Sequence, residues 1–353
     1  MHMADALISP VVGAAAWAAT AGAVGHSSRK LREELDGHRI PLMGVLGAFI
    51  FAAQMVNFTI PATGSSGHLG GGLILAALLG PQAAFLTLAS VLTVQALFFA
   101  DGGLLALGCN ILNLGFFPCF VAYPFIYRKI AGGHMKRWRI TTGALAGAVA
   151  GLQLGALGVV LETWLSGISE LPLRTFLFLM QPIHLAIGLV EGLATAAVVL
   201  FVVKARPEIL RETEPATGPA LSPRALAAVF LGAAIVLGGG VSYFASVRPD
   251  GLEWALSRIS GPGAPGSTAG EVHDIAGDLQ DRTAVLPDYG FREGGRREPA
   301  AATDGTPDGS ATGAGKAVSG LVGGLLTLLI AGAAGFFLKR RHNAAARGGP
   351  AGS

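Results

Sequence analysis

Residues 69–100 read LGGGLILAALLGPQAAFLTLASVLTVQALFFA and contain no charged side chain. A helix needs about 20 apolar residues to cross the ~30 Å hydrocarbon core of a bilayer, so this run is too long for one ordinary crossing. Gly80-Pro81 divides it, because proline lacks the N–H that a continuing helix would use. The sequence therefore predicts a short membrane segment at 69–79 and a full crossing at 82–100.

Seven more segments of the chain are long and apolar enough to cross a membrane, and only one of them contains a charge, Glu191. Charged residues make up 13% of the chain and apolar residues 52%, whereas a soluble domain carries about 25% charged residues. This pattern excludes a soluble enzyme, a nucleic-acid-binding protein and a disulfide scaffold. It predicts an all-α polytopic membrane protein with nine crossings, the other seven at 8–25, 40–60, 102–127, 140–161, 175–203, 225–247 and 317–338.

The distribution of Lys and Arg predicts the orientation, because loops on the cytoplasmic side carry the excess of basic residues. Basic residues cluster in every second connection, at 26–39, 128–139, 204–224 and in the C-terminal tail. The short loops on the opposite side contain a single basic residue, Arg174. We therefore expect a plasma-membrane protein with an extracytoplasmic N-terminus and a cytoplasmic C-terminus, and the N-terminus can then meet the 61–68 loop outside.

The crossings fall into two modules. Residues 1–204 form a predicted bundle of seven crossings, and a proline-containing cytoplasmic linker follows at 205–223. Residues 224–341 form a two-helix hairpin with a large extracytoplasmic loop at 248–316, and 342–353 form a cytoplasmic tail.

The N-terminus has the composition of a metal chelator. The amine of Met1, the amide nitrogen of His2 and Nδ1 of its imidazole can close two fused chelate rings on one ion, leaving one corner of a square vacant. Planar nitrogen coordination suits Ni(II) or Cu(II) better than Zn(II). His68 is the one histidine in a short external loop, and glycines flank it. Its imidazole is the candidate fourth donor.

Four motifs of the chain resemble the CbiM/NikM family, the substrate-specific components of energy-coupling-factor transporters for cobalt and nickel. The first is the N-terminus, and the others are the hairpin Asn57–Gly72, the segment Asp101–Asn110 and the segment Pro182–Gly192. The second module is similar to the companion CbiN/NikN subunit, since Pro249-Asp250-Gly251-Leu252-Glu253 matches the signature of the PDGLE domain. The chain thus resembles a fusion of both components.

This resemblance implies Ni(II) or Co(II) as the transported substrate, with no organic cofactor, and a metal site formed by Met1, His2 and His68. It also implies three kinds of partner: the lipid bilayer, a CbiQ-like transmembrane coupling subunit and CbiO-like ATPase subunits. Nucleic acid is not expected. A nucleotide-binding loop is absent from the sequence, because Ser310 and Ala317 break the pattern around Gly315-Lys316, so we expect a transporter subunit that depends on other subunits for energy.

Other polar residues in the apolar segments leave alternatives open. His184 and Glu191 are seven residues apart and share one helix face, where an intramembrane carboxylate usually has a partner. Together with Asn57 and Asp101, they are candidates for a second shell or a metal path, or for structural hydrogen bonds. Two other functions remain possible at this stage: a membrane enzyme using His184 and Glu191 as an acid–base pair, and a structural assembly subunit that binds no metal.

Overall fold

The computed structural model describes residues 1–34, 40–132, 136–169, 171–205, 221–260, 270–291 and 309–347. Two antiparallel strands, β1 (Phe58–Thr59) and β2 (Ser66–Gly67), form a small hairpin. A π-helical stretch, Leu112–Tyr127, joins the helices Leu107–Ile111 and Arg128–Ala131 into one continuous helix. The helices are α1 (Pro10–Glu34), α2 (Ile40–Gln54), α3 (Gly72–Leu79), α4 (Pro81–Phe99), α5 (Leu107–Ile111), α6 (Arg128–Ala131), α7 (Arg137–Ser166), α8 (Leu173–Ala205), α9 (Pro223–Ile235), α10 (Gly251–Ser260), α11 (Glu271–Thr283) and α12 (Gly309–Arg347).

The predicted polytopic, all-helical class is confirmed. Six helices of the described part are long and apolar enough to span a membrane, and Leu42–Gln54 is a shorter apolar helix. Each of the nine predicted segments overlaps a helical stretch, although the 40–60 segment leaves α2 at Gln54 and its end enters β1. The number of crossings, the orientation and the module boundaries stay predictions. Most of the predicted linker (206–220) and the end of the tail (348–353) lie outside the described residues.

The predicted break at Gly80-Pro81 is confirmed. Gly80 ends α3 with φ at 80°, a conformation that glycine adopts without a steric penalty. Its N–H donates to the Ala76 carbonyl at 3.0 Å, and Pro81 begins α4. Proline is well suited to the first position of a helix, where its missing N–H removes no helical hydrogen bond.

Small residues bring α7 and α8 into close contact. Added Cβ atoms at Gly188 and Gly192 would lie 2.9 and 2.6 Å from the Cα atoms of Val149 and Leu145. Such close approach of backbones is the usual way in which membrane helices pack. Because α8 lies this close to the bundle, the polar residues on its inner face, including Glu191, point into the protein instead of toward lipid.

The second module lies directly against the first. Its two long helical segments, Pro223–Phe244 (α9 and the turns that continue it) and α12, pack on α2. An added Cβ at Gly44 would lie 2.7 Å from the Leu328 carbonyl oxygen of α12. Where these two segments cross, an equivalent atom at Gly238 would lie 3.0 Å from Gly320. The described parts of the polar loop between them include α10 and α11 and cover one end of the bundle. This end, formed by residues 1–8, 57–71 and 101–106, is called the mouth below.

Candidate metal site

The first residues of the chain run into the mouth of the bundle. The Met3 N–H donates to Asn110 Oδ1 at 2.8 Å, and its carbonyl accepts from the Asn110 side chain at 3.2 Å and from the Gly103 N–H at 2.8 Å. Asp5 Oδ1 accepts the N–H of Ala106 at 2.9 Å. The segment 101–110 therefore acts as a cradle that fixes the path of the N-terminus.

His2 and His68, which the sequence predicted as partners, lie beside each other in the mouth. Their ring centroids are 5.2 Å apart and the ring planes differ by 18°. Metal–nitrogen bonds of about 2 Å place two adjacent imidazoles on a square with centroids roughly 4–4.5 Å apart. The observed separation is thus about 1 Å longer than the separation in such a site.

Both imidazoles are neutral near physiological pH. Burial, followed by the positive charge of the Met1 amine, lowers the pKa of His2 to about 3 and that of His68 to about 4. Metal ions bind the neutral form of imidazole. The two side chains are therefore already in the protonation state that a metal ligand requires.

Hydrogen bonds to Glu191 of α8 stabilise the hairpin that carries His68. The two carboxyl oxygens of Glu191 accept the N–H groups of Gly70 at 2.6 Å and Gly71 at 3.2 Å. Gln54 donates to the Gly70 carbonyl at 2.9 Å. His68 Nδ1 lies 3.0 Å from the Leu69 carbonyl oxygen, an arrangement that suits an Nδ1–H donor and leaves Nε2 as the ligating nitrogen.

Asp101 lies on the other side of His2. Its Oδ1 is 3.5 Å from Nδ1 of His2, the nitrogen that the chelate would use, and its Oδ2 accepts the hydroxyl of Tyr289 at 2.5 Å. Burial raises the pKa of Asp101. The opposite ring nitrogen of His2, Nε2, and Oε1 of Gln95 are both buried without a hydrogen bond of good geometry among the described residues, although the Gln95 side chain lies close enough to His2 to act on its pKa.

The second module supplies a carboxylate at the N-terminal amine. Oδ2 of Asp250 lies 3.2 Å from the nitrogen of Met1, whose side chain is 3% exposed. Burial alone would raise the pKa of Asp250, but the amine charge and the Glu253 N–H outweigh it, and the pKa lies well below its usual range. Met1, His68, Asp250 and His184 line one small cavity.

The remaining predicted residues have different surroundings. His184 Nδ1 lies 2.7 Å from the Met180 carbonyl of its own helix, and its ring borders the cavity. Asn57 contributes its main-chain carbonyl, which accepts the Ser246 N–H at 2.9 Å. No three His, Cys, Asp or Glu side chains of the described ranges converge as metal ligands. The predicted set contains only two such side chains, because its other donors are main-chain nitrogens.

Sequence reasoning missed Asp250, Tyr289 and Gln95. From the sequence, Asp250 was used only as part of a family signature, and Gln95 was assigned no role. Their contacts join residues far apart along the chain, 249 positions for Asp250 and Met1. A usable signal for Asp250 was present: Asp followed three residues later by Glu is the pattern of a reciprocal helix cap.

Known proteins with related sequences are transporters of metals. The chain is 34% identical over 252 residues to the fused nickel transport protein NikMN of Rhodobacter capsulatus, covering 67% of this chain and 71% of that protein. It is 31% identical over 245 residues to the cobalt transport protein CbiM of Geobacter sulfurreducens, covering 65% and 68%. A crystal structure of a truncated transition metal transporter aligns with a TM-score of 0.51 and 31% identity, covering 58% of this chain and 99% of that one.

These matches and the helical bundle define a membrane transport component for metal ions and set the enzyme alternative aside. The family model for the cobalt uptake substrate-specific transmembrane region, CbiM, matches residues 2–209. The chain belongs to this family. A second model, the PDGLE domain, matches residues 224–340, so the predicted fusion of the two components is confirmed.

Proposed function

We propose that the chain is the substrate-capture subunit of an energy-coupling-factor importer for Ni(II) or Co(II). In this proposal the ion is held by four nitrogens: the Met1 amine, the His2 amide, Nδ1 of His2 and Nε2 of His68. We refer to this set as the four-nitrogen site. The observation that supports it best is the meeting of the buried Met1 and of His2, whose side chain is 7% exposed, with His68 in one mouth.

Each ligand has a chemical reason to be there. The two imidazoles are neutral, whereas the amine and the amide must each lose a proton before they bind, so affinity should rise with pH. Burial excludes the water that would otherwise compete for the ion. The cradle at 101–110 and the hydrogen bonds from Glu191 to the hairpin fix the two halves of the site independently.

The proposal extends to topology and partners. The mouth faces the outside of the plasma membrane, the modules 1–204 and 224–341 are joined by a cytoplasmic linker, and the C-terminus is cytoplasmic. Relatives named for nickel and for cobalt support both ions as substrates. A CbiQ-like coupling subunit and CbiO-like ATPases supply the energy. The alternative function, a structural assembly subunit, predicts that the chain binds no metal.

Equilibrium dialysis of the purified full-length chain against Ni(II) or Co(II) tests the site. We compare the native protein with a variant carrying two alanines before Met1, after confirming both N-termini by mass spectrometry. Two residues are added because a single one would place the histidine third and create a new planar chelate of one amine, two amides and one imidazole. The two residues move the free amine by up to about 7 Å and should abolish high-affinity binding. The control carries the same two alanines after Ser353. Undiminished affinity of the N-terminal variant would refute the site. If neither the native protein nor its variants bound the ion stoichiometrically, the result would favour the structural subunit.

A further inference from the structure

The N-terminal amine and Asp250 are separated by a distance that suits two ligands of one ion. Two ligands at about 2.0–2.1 Å from a metal, at right angles to each other, lie about 2.9 Å apart. The observed separation between Met1 nitrogen and Asp250 Oδ2 is 3.2 Å. An ion bound to the amine therefore has a carboxylate oxygen within reach, after an adjustment of only about 0.3 Å.

The carboxylate is aimed at this position by the helix that it caps. Asp250 Oδ1 accepts the Glu253 N–H at 2.8 Å, and Glu253 returns the interaction by accepting the Asp250 N–H at 3.1 Å. This reciprocal cap at the start of α10 occupies one carboxylate oxygen. The other oxygen, Oδ2, is left to face the amine.

The residues around Asp250 anchor it in the mouth. The Pro249 carbonyl accepts the N–H of Ser66, in the hairpin of His68, at 2.8 Å. An added Cβ at Gly251 would lie 2.7 Å from Ile183 of α8, so only glycine permits this approach. Leu252 is 2% exposed and completes the anchor. The Pro-Asp-Gly-Leu segment thus places one carboxylate oxygen at the amine.

Charge balance gives Asp250 a reason to stay when the ion arrives. A divalent ion with one deprotonated amide and three neutral nitrogens carries a net charge of +1. An uncompensated buried charge is strongly unfavourable, and an ionised carboxylate beside the ion offsets it. Asp250 is the carboxylate in contact with the amine, whereas Asp101 contacts Nδ1 of His2 at 3.5 Å and the hydroxyl of Tyr289.

We propose that Asp250 of the second module is a fifth ligand, an oxygen donor that closes over the four-nitrogen site. His2, His68 and Asp250 do not converge on one point among the described residues, so the closure brings the two rings and the carboxylate together as the ion binds. The inference rests on the proposed function. It makes the second module part of the metal site instead of a separate accessory, and the loaded ion is five-coordinate (four nitrogens and one oxygen). As the ion binds, the amine loses its proton to solvent, and Oδ2 exchanges its contact with the amine for one with the metal.

X-ray absorption at the Ni K-edge tests this coordination on the full-length protein loaded with Ni(II) alone. A planar four-coordinate Ni(II) ion shows a distinct near-edge feature that an axial ligand removes. The native protein should lack that feature, and the Asp250→Asn variant should gain it. In this variant the amide oxygen can still cap α10, since Asn and Asp cap equally well, while its NH2 group cannot bind a metal.

Glu253→Gln is the matched control. It changes the partner in the same cap but not the group at the amine, so it should give the native edge. Identical edges for the native protein and Asp250→Asn would overturn the inference. Tighter Ni(II) binding by Asp250→Asn with an unchanged Ni K-edge spectrum would also overturn it, because the role of Asp250 would then be limited to neutralising the charge of the amine. Absence of stoichiometric Ni(II) binding by the native protein would instead refute the proposed function itself.

Discussion

Replacing Glu191 by glutamine tests whether the hairpin of His68 is positioned from within the membrane. Glu191 accepts two buried N–H groups, from Gly70 and Gly71. A glutamine has one acceptor oxygen, so one of these N–H groups loses its partner, at a cost of about 1–3 kcal/mol. That cost falls on the hairpin conformation that presents His68.

The metal binds only the hairpin conformation that presents His68, so the apparent affinity falls with the fraction of protein in that conformation. Once that conformation is the minor one, the affinity loses the full free-energy cost of the lost hydrogen bond. A loss of about 1–3 kcal/mol corresponds to roughly 5- to 150-fold weaker binding, since 1.4 kcal/mol is tenfold. Isothermal titration calorimetry of Ni(II) binding measures this change directly. Faster amide hydrogen exchange at Gly70 and Gly71 would accompany it.

The control for this variant is Glu162→Gln, the same change at a half-buried acid. Glu162 accepts a hydrogen bond from the Asn113 side chain at 2.6 Å and interacts with the Cys109 thiol, and a glutamine oxygen can keep the bond from Asn113. Its affinity should remain within about twofold of the native value, since the bond survives. Native affinity in Glu191→Gln would contradict the positioning role, and an equal loss in both variants would show only general destabilisation.

Two further predictions concern the mouth. First, the imidazoles of His2 and His68 should stay neutral to pH 5, as observed by NMR of ring-labelled histidine, because their pKa values are about 3 and 4 instead of 6.5. Between about pH 4 and 6.5 the unfolded chain then binds more protons than the folded one, so these histidines should lower the free energy of unfolding as the pH falls through that window. Titration midpoints near 6.5 for the two rings would contradict their burial. Second, Tyr289→Phe removes the hydroxyl that donates to Asp101 and should destabilise the metal-free protein by about 1–3 kcal/mol, measured as a lower melting temperature in detergent. An unchanged melting temperature would show that this contact does not hold the loop on the mouth.

The helical framework followed from rules that act locally along the chain. Apolar length predicted the membrane segments, and proline chemistry predicted the break at Gly80-Pro81, which the structure places at the end of α3. The external loop was harder, because α10 and α11 are short and polar and have no membrane-length signal. They fold against the mouth through contacts that no local pattern encodes.

The candidate site was predictable where the chemistry lies within a few residues. Met1 and His2 are adjacent, so their shared chelate could be inferred from the sequence. His68 followed from the predicted topology, because it is the one histidine in a short loop predicted to be external. The contact between Asp250 and the amine depends on how the second module packs on the first, and the position of Gly251 against Ile183 is visible only in the folded chain.

A crystal structure of the Ni(II)-loaded full-length protein, with the ion located by anomalous scattering, tests the central claim most directly. The account predicts one ion within about 2 Å of the Met1 amine, the His2 amide, Nδ1 of His2 and Nε2 of His68. An ion bound elsewhere, with the Met1 amine still paired only with Asp250, would contradict it.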